Sequence, residues 1–552
     1  MRKTLVLFAA VLMTACPDPS ATDGGAGGGS ATSGGLGGGA AGGGTTGAGV
    51  GGGGTTGGGA TGGGATGGGA TGGGTTGGGT TGGGSTGGGF STGGGSATGG
   101  GSATGGGNAT GGGGSAPCTF DAGTIFAPHF EITLRDGGAL PNALLTSDRL
   151  EVRVRDLPPC RDIDLDFRLD AGHSTSARFT ASATGEVSTS TTAPTSGAWN
   201  TIDGDAIFWS MRMGSSTTPT SHDLTITARW DGGTPFTAQL ARSLLPPGTT
   251  VTPFRETTAT GLYGDFLRPP GTGPFPAVLV FGGSEGGLAG GALTANFLVS
   301  RGFAVLAIAY FAVPGKPAGM TRIPLEIFQR GVQRLRAMPD VRTAKLGILG
   351  VSRGGEAALL AGAAFPGDVH AVVSLVGGGY AWAAPGSSTQ STWTLDAGDV
   401  PFLPWPSGSN TIVTSDAGYT ISYGEPFFSA GLVAAGPAVR TQAEIPVERI
   451  NGPVLLLAAG SDGIWPSCPL STAAWNRLVD AGHPIGRLDE LRCFPGVGHS
   501  MNPSRPGFPL VELIDRGSTN PRTGYGGTAA ADNAADFELA DRIAGFFQLA
   551  LQ

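Results

Sequence analysis

The chain has 552 residues, of which 107 are glycine, and a formal net charge of −8. Its 32 Lys+Arg against 40 Asp+Glu leave no basic footprint, which argues against nucleic acid as a partner. Many of the glycines come as triplets within an x-Thr-Gly-Gly-Gly unit and not at every third position, so a collagen helix is excluded.

Arg2 and Lys3 precede an apolar run from Leu5 to Ala15 that ends at Cys16. The run is shorter than the ~20 residues that a membrane-crossing helix needs, and it fits the middle of a secretory signal. Leu12-Met13-Thr14-Ala15-Cys16 resembles a bacterial lipobox, so residues 1–16 read as a lipoprotein-type signal peptide. That reading implies a lipid on Cys16, export, and membrane attachment on the periplasmic or cell-surface side. Residues 17–117 follow as a Gly/Thr/Ser-rich linker. Within 21–115 lie 53 glycines, one charge (Asp23) and three large apolar side chains (Leu36, Val50, Phe90). This is too little apolar surface to offset chain ordering, so disorder is expected, with a span of roughly 50–60 Å.

Four cysteines remain: Cys118, Cys160, Cys468 and Cys493. Export permits disulfides, and Cys118–Cys160 with Cys468–Cys493 is the simplest of the three pairings, free buried thiols being the other reading. No Cys/His spacing suggests a zinc site, and neither metal nor cofactor is expected.

Residues 118–250 show short alternating runs such as Leu150-Glu-Val152-Arg-Val154 and Ile163-Asp-Leu165-Asp-Phe167-Arg-Leu169, with turn residues between them. Period two with apolar groups on one face predicts an Ig-like antiparallel β-sandwich. His129, His173 and His222 fall here and are expected in surface or capping roles. From 251 to 552 the pattern changes to continuous apolar strands alternating with helices: Ala277–Phe281, a helix to Ser300, Phe303–Ala309, a helix over 322–338, Leu346–Leu349, a helix from Ser352, Ala371–Leu375 and Val454–Ala459. Strands buried on both faces between helices predict a three-layer α/β domain. A Pro-, Gly- and Trp-containing segment at about 380–450 reads as an insertion capping the sheet.

G-x-S-x-G carries chemistry because a serine on a sharp strand-to-helix turn is pushed into a cleft beside helix N–H groups. It occurs around Ser85, Ser284 and Ser352. Ser85 lies in the glycine tract, with no strand or helix to hold it. In an α/β-hydrolase sheet an earlier loop supplies an oxyanion N–H and the nucleophile follows a later strand. Chain order therefore assigns Ser352 as nucleophile, with Arg353 and the Gly283, Ser284 and Glu285 backbone as oxyanion donors. The base follows in sequence, and His499, in a loop after Leu488–Phe494, is preferred over His370 and His483. The acid is Asp462, directly after Val454–Ala459, ahead of Asp489 and Glu490, which are expected to face solvent from a strand.

These segments resemble the acyl-CoA thioesterase and bile acid-CoA:amino acid N-acyltransferase family. The likeness rests on Phe281-Gly-Gly-Ser-Glu-Gly-Gly287, Arg301-Gly-Phe-Ala-Val-Leu-Ala-Ile-Ala-Tyr310, Ile323-Pro-Leu-Glu-Ile-Phe328, Gly350-Val-Ser-Arg-Gly-Gly-Glu356, Asp462-Gly-Ile-Trp-Pro-Ser467 and the loop around His499. The resemblance implies a β-sandwich before an α/β-hydrolase domain, and a Ser/Cys–Asp–His triad acting on acyl thioesters. Transferring members use Cys, so Ser352 points to hydrolysis. Acyl-CoA is an intracellular metabolite and the N-terminus reads as exported, so the expected substrate is a small-molecule acyl thioester or ester. Two other readings are a surface-displayed binding module that keeps the hydrolase fold, and an acyltransferase to an amine acceptor. Trp382, Trp393, Trp405 and Trp465 are read as lining an acyl pocket or as core. For the anchor, Cys16→Ser is expected to release the protein from membranes; unchanged membrane fractionation would contradict the lipid reading.

Overall fold

Alternation at period two builds the first folded region. Asp162–Leu169 turns Ile163, Leu165, Phe167 and Leu169 inward, each 1% exposed or less. It pairs antiparallel with Ser174–Thr180 and Leu224–Trp230 at the centre of a five-stranded sheet. A three-stranded sheet of His129–Leu134, Leu150–Arg155 and Val187–Ser188 packs against it. Leu150, Val152 and Val154 from one sheet meet Phe167, Phe179 and Ile226 from the other in a shared core. Each such side chain contributes about 1.5–3 kcal/mol by leaving water. Cys118 is bonded to Cys160 at the edge of this region. Of the surface and capping roles expected for it, His173 does not take the surface one: it is 2% exposed, directly before Ser174–Thr180.

The computed structural model describes Cys118 and residues 123–169, 172–212, 222–414, 420–483, 488–503 and 521–552. Residues 1–16, expected as a signal segment ending at Cys16, the glycine tract and Ser85 lie outside the described residues; the described residues all belong to one contact unit.

Beyond residue 249 eight strands form one sheet: β1 (Thr250–Arg255), β2 (Tyr263–Arg268), β3 (Phe275–Phe281), β4 (Ala304–Ala309), β5 (Val341–Val351), β6 (Ala371–Leu375), β7 (Val454–Ala459) and β8 (Glu490–Phe494). Their order is β1-β2-β4-β3-β5-β6-β7-β8. β2 is antiparallel to both neighbours, and all pairs from β4 to β8 are parallel. β4, β6 and β7 are buried at every position, as strands covered on both faces require. This is the α/β-hydrolase fold.

Helices α1 (Ala289–Ser300) and α5 (Ala529–Ala550) cover one face of the sheet. On the other lie α2 (Glu326–Arg336), α3 (Arg353–Ala364) and α4 (Ser467–Asp480). In α2 the buried Ile327, Phe328, Gly331, Val332 and Leu335 recur at helical spacing, so one stripe faces the sheet. This helix begins later than the sequence suggests. Ile323–Pro324 instead pairs with Trp393–Leu395, since the proline fixes φ and the segment gains strand partners.

The 380–450 segment leaves the carboxyl end of β6 and returns to β7. It holds a hairpin of Thr411–Thr414 with Thr420–Tyr423 and two helices, Glu425–Ala434 and Pro437–Ala443. Its Trp382, Trp405, Phe427 and Phe428 form an aromatic cluster with Trp465. A second disulfide, Cys468–Cys493, joins the first turn of α4 to β8.

Candidate active site

The turn from β5 into α3 carries Ser352 at φ 58° and ψ −122°, a conformation that costs a non-glycine residue on the order of 1–3 kcal/mol. It persists because the surroundings determine it. Ser352 N–H donates to the Leu375 carbonyl at 2.8 Å, locking the turn to the end of β6. Small neighbours make the approach possible: a Cβ on Gly350 would lie 1.9 Å from the Gly354 oxygen, and one on Gly354 2.2 Å from the Gly282 oxygen. The motif's glycines are therefore steric requirements of this crossing of chains.

The sheet order brings the two partner residues to the same end. β7 runs into the turn bearing Asp462, and β8 into the loop bearing His499. His499 Nε2 lies 2.9 Å from Ser352 Oγ, and its Nδ1 lies 2.8 Å from Asp462 Oδ2. All three are buried, at 6–8% exposure. The other Asp462 oxygen accepts N–H groups from Ile464 at 2.9 Å and Trp465 at 3.2 Å. A carboxylate so placed accepts a hydrogen bond from Nδ1–H, which leaves Nε2 to accept from the serine hydroxyl. The Trp465 ring stands edge-on to the imidazole, 6.5 Å between centroids.

The competing residues have other partners. His370 Nδ1 accepts the Leu346 N–H at 3.3 Å, and burial with the nearby Arg336 lowers its pKa. His483 Nε2 lies 2.9 Å from the Ile450 carbonyl. Asp489 was expected to face solvent and does not: its side chain is 2% exposed and accepts the Val454 N–H at 2.9 Å, next to His483. Glu490 pairs with Arg542 at 2.5 Å on the outer surface of β8. Ser352, and not Ser284, is the serine bonded to His499.

The loop after β3 narrows the set of expected oxyanion donors. The Glu285 carboxylate accepts the Gly283 N–H at 2.9 and 3.0 Å, and its own amide also turns to it. Burial raises the Glu285 pKa against these bonds. Two of the three loop amides are thus occupied within the loop. Tyr310, at the end of β4, donates to the carbonyls of Gly282 at 3.1 Å and Gly283 at 2.9 Å. In a trans peptide the carbonyl and the following N–H point oppositely, so this bond turns the Ser284 N–H away from Tyr310. The loop presses on the nucleophile: a Cβ on Gly283 would meet the Ser352 Cβ at 2.8 Å.

Below the turn lies a polar network that residue spacing alone did not reveal. The Arg353 guanidinium donates to the Thr392 hydroxyl at 2.6 Å and the Trp382 carbonyl at 3.0 Å, and it lies 3.2 Å from Glu356. Glu356 Oε1 accepts from Trp393 Nε1 at 2.5 Å and Trp382 N at 3.0 Å. The first turn of α3 is thereby fastened to the start of the insertion. Trp393 belongs to the main core, whereas Trp382, Trp405 and Trp465 belong to the aromatic cluster. Among the described residues no group of three or more His, Cys, Asp or Glu could hold a metal ion.

Residues 147–252 match the family model described as Acyl-CoA thioester hydrolase/BAAT N-terminal region, and residues 323–552 the one described as BAAT / Acyl-CoA thioester hydrolase C terminal. Human Acyl-coenzyme A thioesterase 1 is 29% identical over 306 residues, covering 55% of this chain and 66% of its own length. Mouse Acyl-coenzyme A thioesterase 1 is 28% identical over 419 residues, covering 72% and 92%. Among solved structures, a dienelactone hydrolase-like phosphotriesterase from metagenomic libraries aligns at 15% identity with a TM-score of 0.34, covering 55% of this chain and 98% of its own. At that score the likeness adds nothing to the topology above.

Burial pushes Glu356 up to about 7, with Arg353, Trp393 and Trp382 pulling the other way. The folded state therefore binds this proton more tightly than the unfolded chain, whose carboxyl titrates near the ordinary 4.5. Its contribution to stability falls as pH rises from about 4.5 through about 7. Glu356→Gln keeps an oxygen acceptor and removes that titration. In urea unfolding at pH 5 and pH 8, the wild type is expected to lose about 2–3 kcal/mol relative to the variant on going to the higher pH. Equal pH dependence of the two proteins would contradict the assignment.

Proposed function

Since the chain belongs to the acyl-CoA thioester hydrolase and bile acid-CoA:amino acid N-acyltransferase family, we propose that it is a serine hydrolase of acyl thioesters or esters. The observation that carries this reading is the unbroken relay from Ser352 Oγ through His499 to Asp462, at 2.9 and 2.8 Å, on a strained turn. Ser352 attacks the acyl carbonyl carbon while His499 Nε2 takes its proton. The tetrahedral oxyanion sits against the Arg353 and Ser284 N–H groups, each such donor being typically worth about 10²–10³ in rate. Collapse expels the thiolate or alkoxide, which receives the proton from His499 and leaves an acyl ester on Ser352. Water, activated by the same imidazole, then attacks that ester and frees the acid. Asp462 holds the ring in the tautomer that both half-reactions need.

An acyl thioester is the favoured substrate class on family membership. Ser352 at the nucleophile position favours water over an amine acceptor in the second half-reaction. The two disulfides support an oxidising compartment, consistent with export of the chain and anchoring at Cys16.

A fluorophosphonate probe is expected to label the wild-type protein, and Ser352→Ala to abolish labelling. The same change should lower p-nitrophenyl ester and acyl thioester turnover by about 10⁴-fold or more. Ser284→Ala keeps its backbone N–H and should stay within about threefold of wild type, because a donor on the main chain survives loss of the hydroxyl. No labelling of the wild type would leave a hydrolase-fold binding module as the better account. Inactivation by Ser284→Ala alone would refute the choice of nucleophile.

A further inference from the structure

Two buried carboxylates on α5 stand one helical turn apart beneath the loop that carries His499. Asp532 is fully buried and Asp536 is 1% exposed. Asp532 Oδ1 accepts the Gly498 N–H at 2.8 Å, and Asp536 Oδ1 accepts the Asn502 N–H at 2.6 Å. The two amides flank His499 on either side. The second oxygen of each carboxylate is buried with no partner among the described residues. Burial raises the pKa of both, Asp532 to about 7. Both of their bonds go to main-chain amides of one loop, which would lose these acceptors if apolar residues stood here.

The segment between that loop and α5 closes the frame. The Tyr525 carbonyl accepts from His499 N–H at 2.8 Å and from Gly463 N–H at 2.9 Å, so one oxygen holds both the base and the residue after the acid. Gly526 has φ 75°, and a Cβ there would lie 2.0 Å from the Ser461 oxygen. Thr528 then caps α5, accepting from Ala531 N–H at 3.3 Å, and this fixes where Asp532 stands one turn later.

We propose that Asp532, supported by Asp536, is a positioning residue that holds the Gly498–Asn502 loop and so sets the imidazole of His499 against Ser352 and Asp462. The inference rests on the hydrolase reading above. It acts through the backbone: the carboxylate touches neither substrate nor Ser352, and what it supplies is a fixed acceptor oxygen. Asparagine keeps an acceptor oxygen of the same reach, and alanine does not.

The test compares Asp532→Ala with Asp532→Asn. Turnover is normalised to fluorophosphonate-titrated sites, and amide hydrogen exchange is followed over residues 496–503. Asp532→Ala is expected to lower kcat by about 10–100-fold with KM within about twofold, and to speed exchange of the loop amides about tenfold. Asp532→Asn should recover kcat to within about threefold of wild type and restore slow exchange. Wild-type kcat and exchange in Asp532→Ala, or an Asp532→Asn as slow as Asp532→Ala, would overturn the proposal. Should Asp532→Ala fail to fold, Asp536→Ala and Asp536→Asn carry the same comparison through Asn502. An inactive, unlabelled wild type would instead count against the hydrolase reading, while the exchange measurement still decides the positioning role.

Discussion

The strained peptide at Ser352 is the constraint on which the rest of the cleft depends. A serine held at φ 58° needs surroundings that leave it no other conformation, and three segments of the protein supply them. β6 accepts its N–H, α3 begins at its carbonyl, and the loop after β3 closes over Gly354. The G-x-S-x-G pattern follows from that crossing, because any side chain at Gly350 or Gly354 would occupy backbone oxygens already in place. The same turn directs the hydroxyl towards His499 and leaves the Arg353 N–H at the start of a helix, where partial positive charge gathers.

Around this turn the protein maintains buried ionisable groups that a stability-driven core would avoid. Glu285 shapes the loop that abuts the serine. Glu356 and Arg353 tie the first turn of α3 to the insertion. Asp532 and Asp536 underlie the histidine loop. Burial raises the pKa of each of these four carboxyl groups. Such groups are expensive singly, yet each one accepts a main-chain N–H: Glu285 from Gly283, Glu356 from Trp382, Asp532 from Gly498 and Asp536 from Asn502.

Much of this was legible in the sequence. Continuous apolar runs at Ala277–Phe281 and Val454–Ala459 have the composition of strands covered on both faces, and Ile163–Leu169 alternates as a sandwich strand must. Ser352 and Asp462 could be placed because each follows an apolar strand, and His499 because it follows the apolar-polar run Leu488–Phe494. Less legible was whatever depends on side chains far apart in sequence. Asp489 reads as a surface acid from its neighbours, but His483 and the β7 backbone bury it. The loop Gly283–Glu285 presents three amides as sequence, and only the Glu285 carboxylate decides which are spent internally. Asp532 and Asp536 carry no motif; their spacing of four matches one helix face, and nothing in the sequence ties that face to a loop some thirty positions earlier.

The central claim is that turnover passes through an acyl ester on Ser352. Rapid quenching of the protein with an acyl thioester, followed by peptide mapping by mass spectrometry, measures this directly. The account predicts a mass increase equal to the acyl group on the peptide containing Ser352, formed and lost at rates compatible with turnover. Turnover with no acylated peptide, or with the acyl group on a peptide containing Ser284, would contradict it.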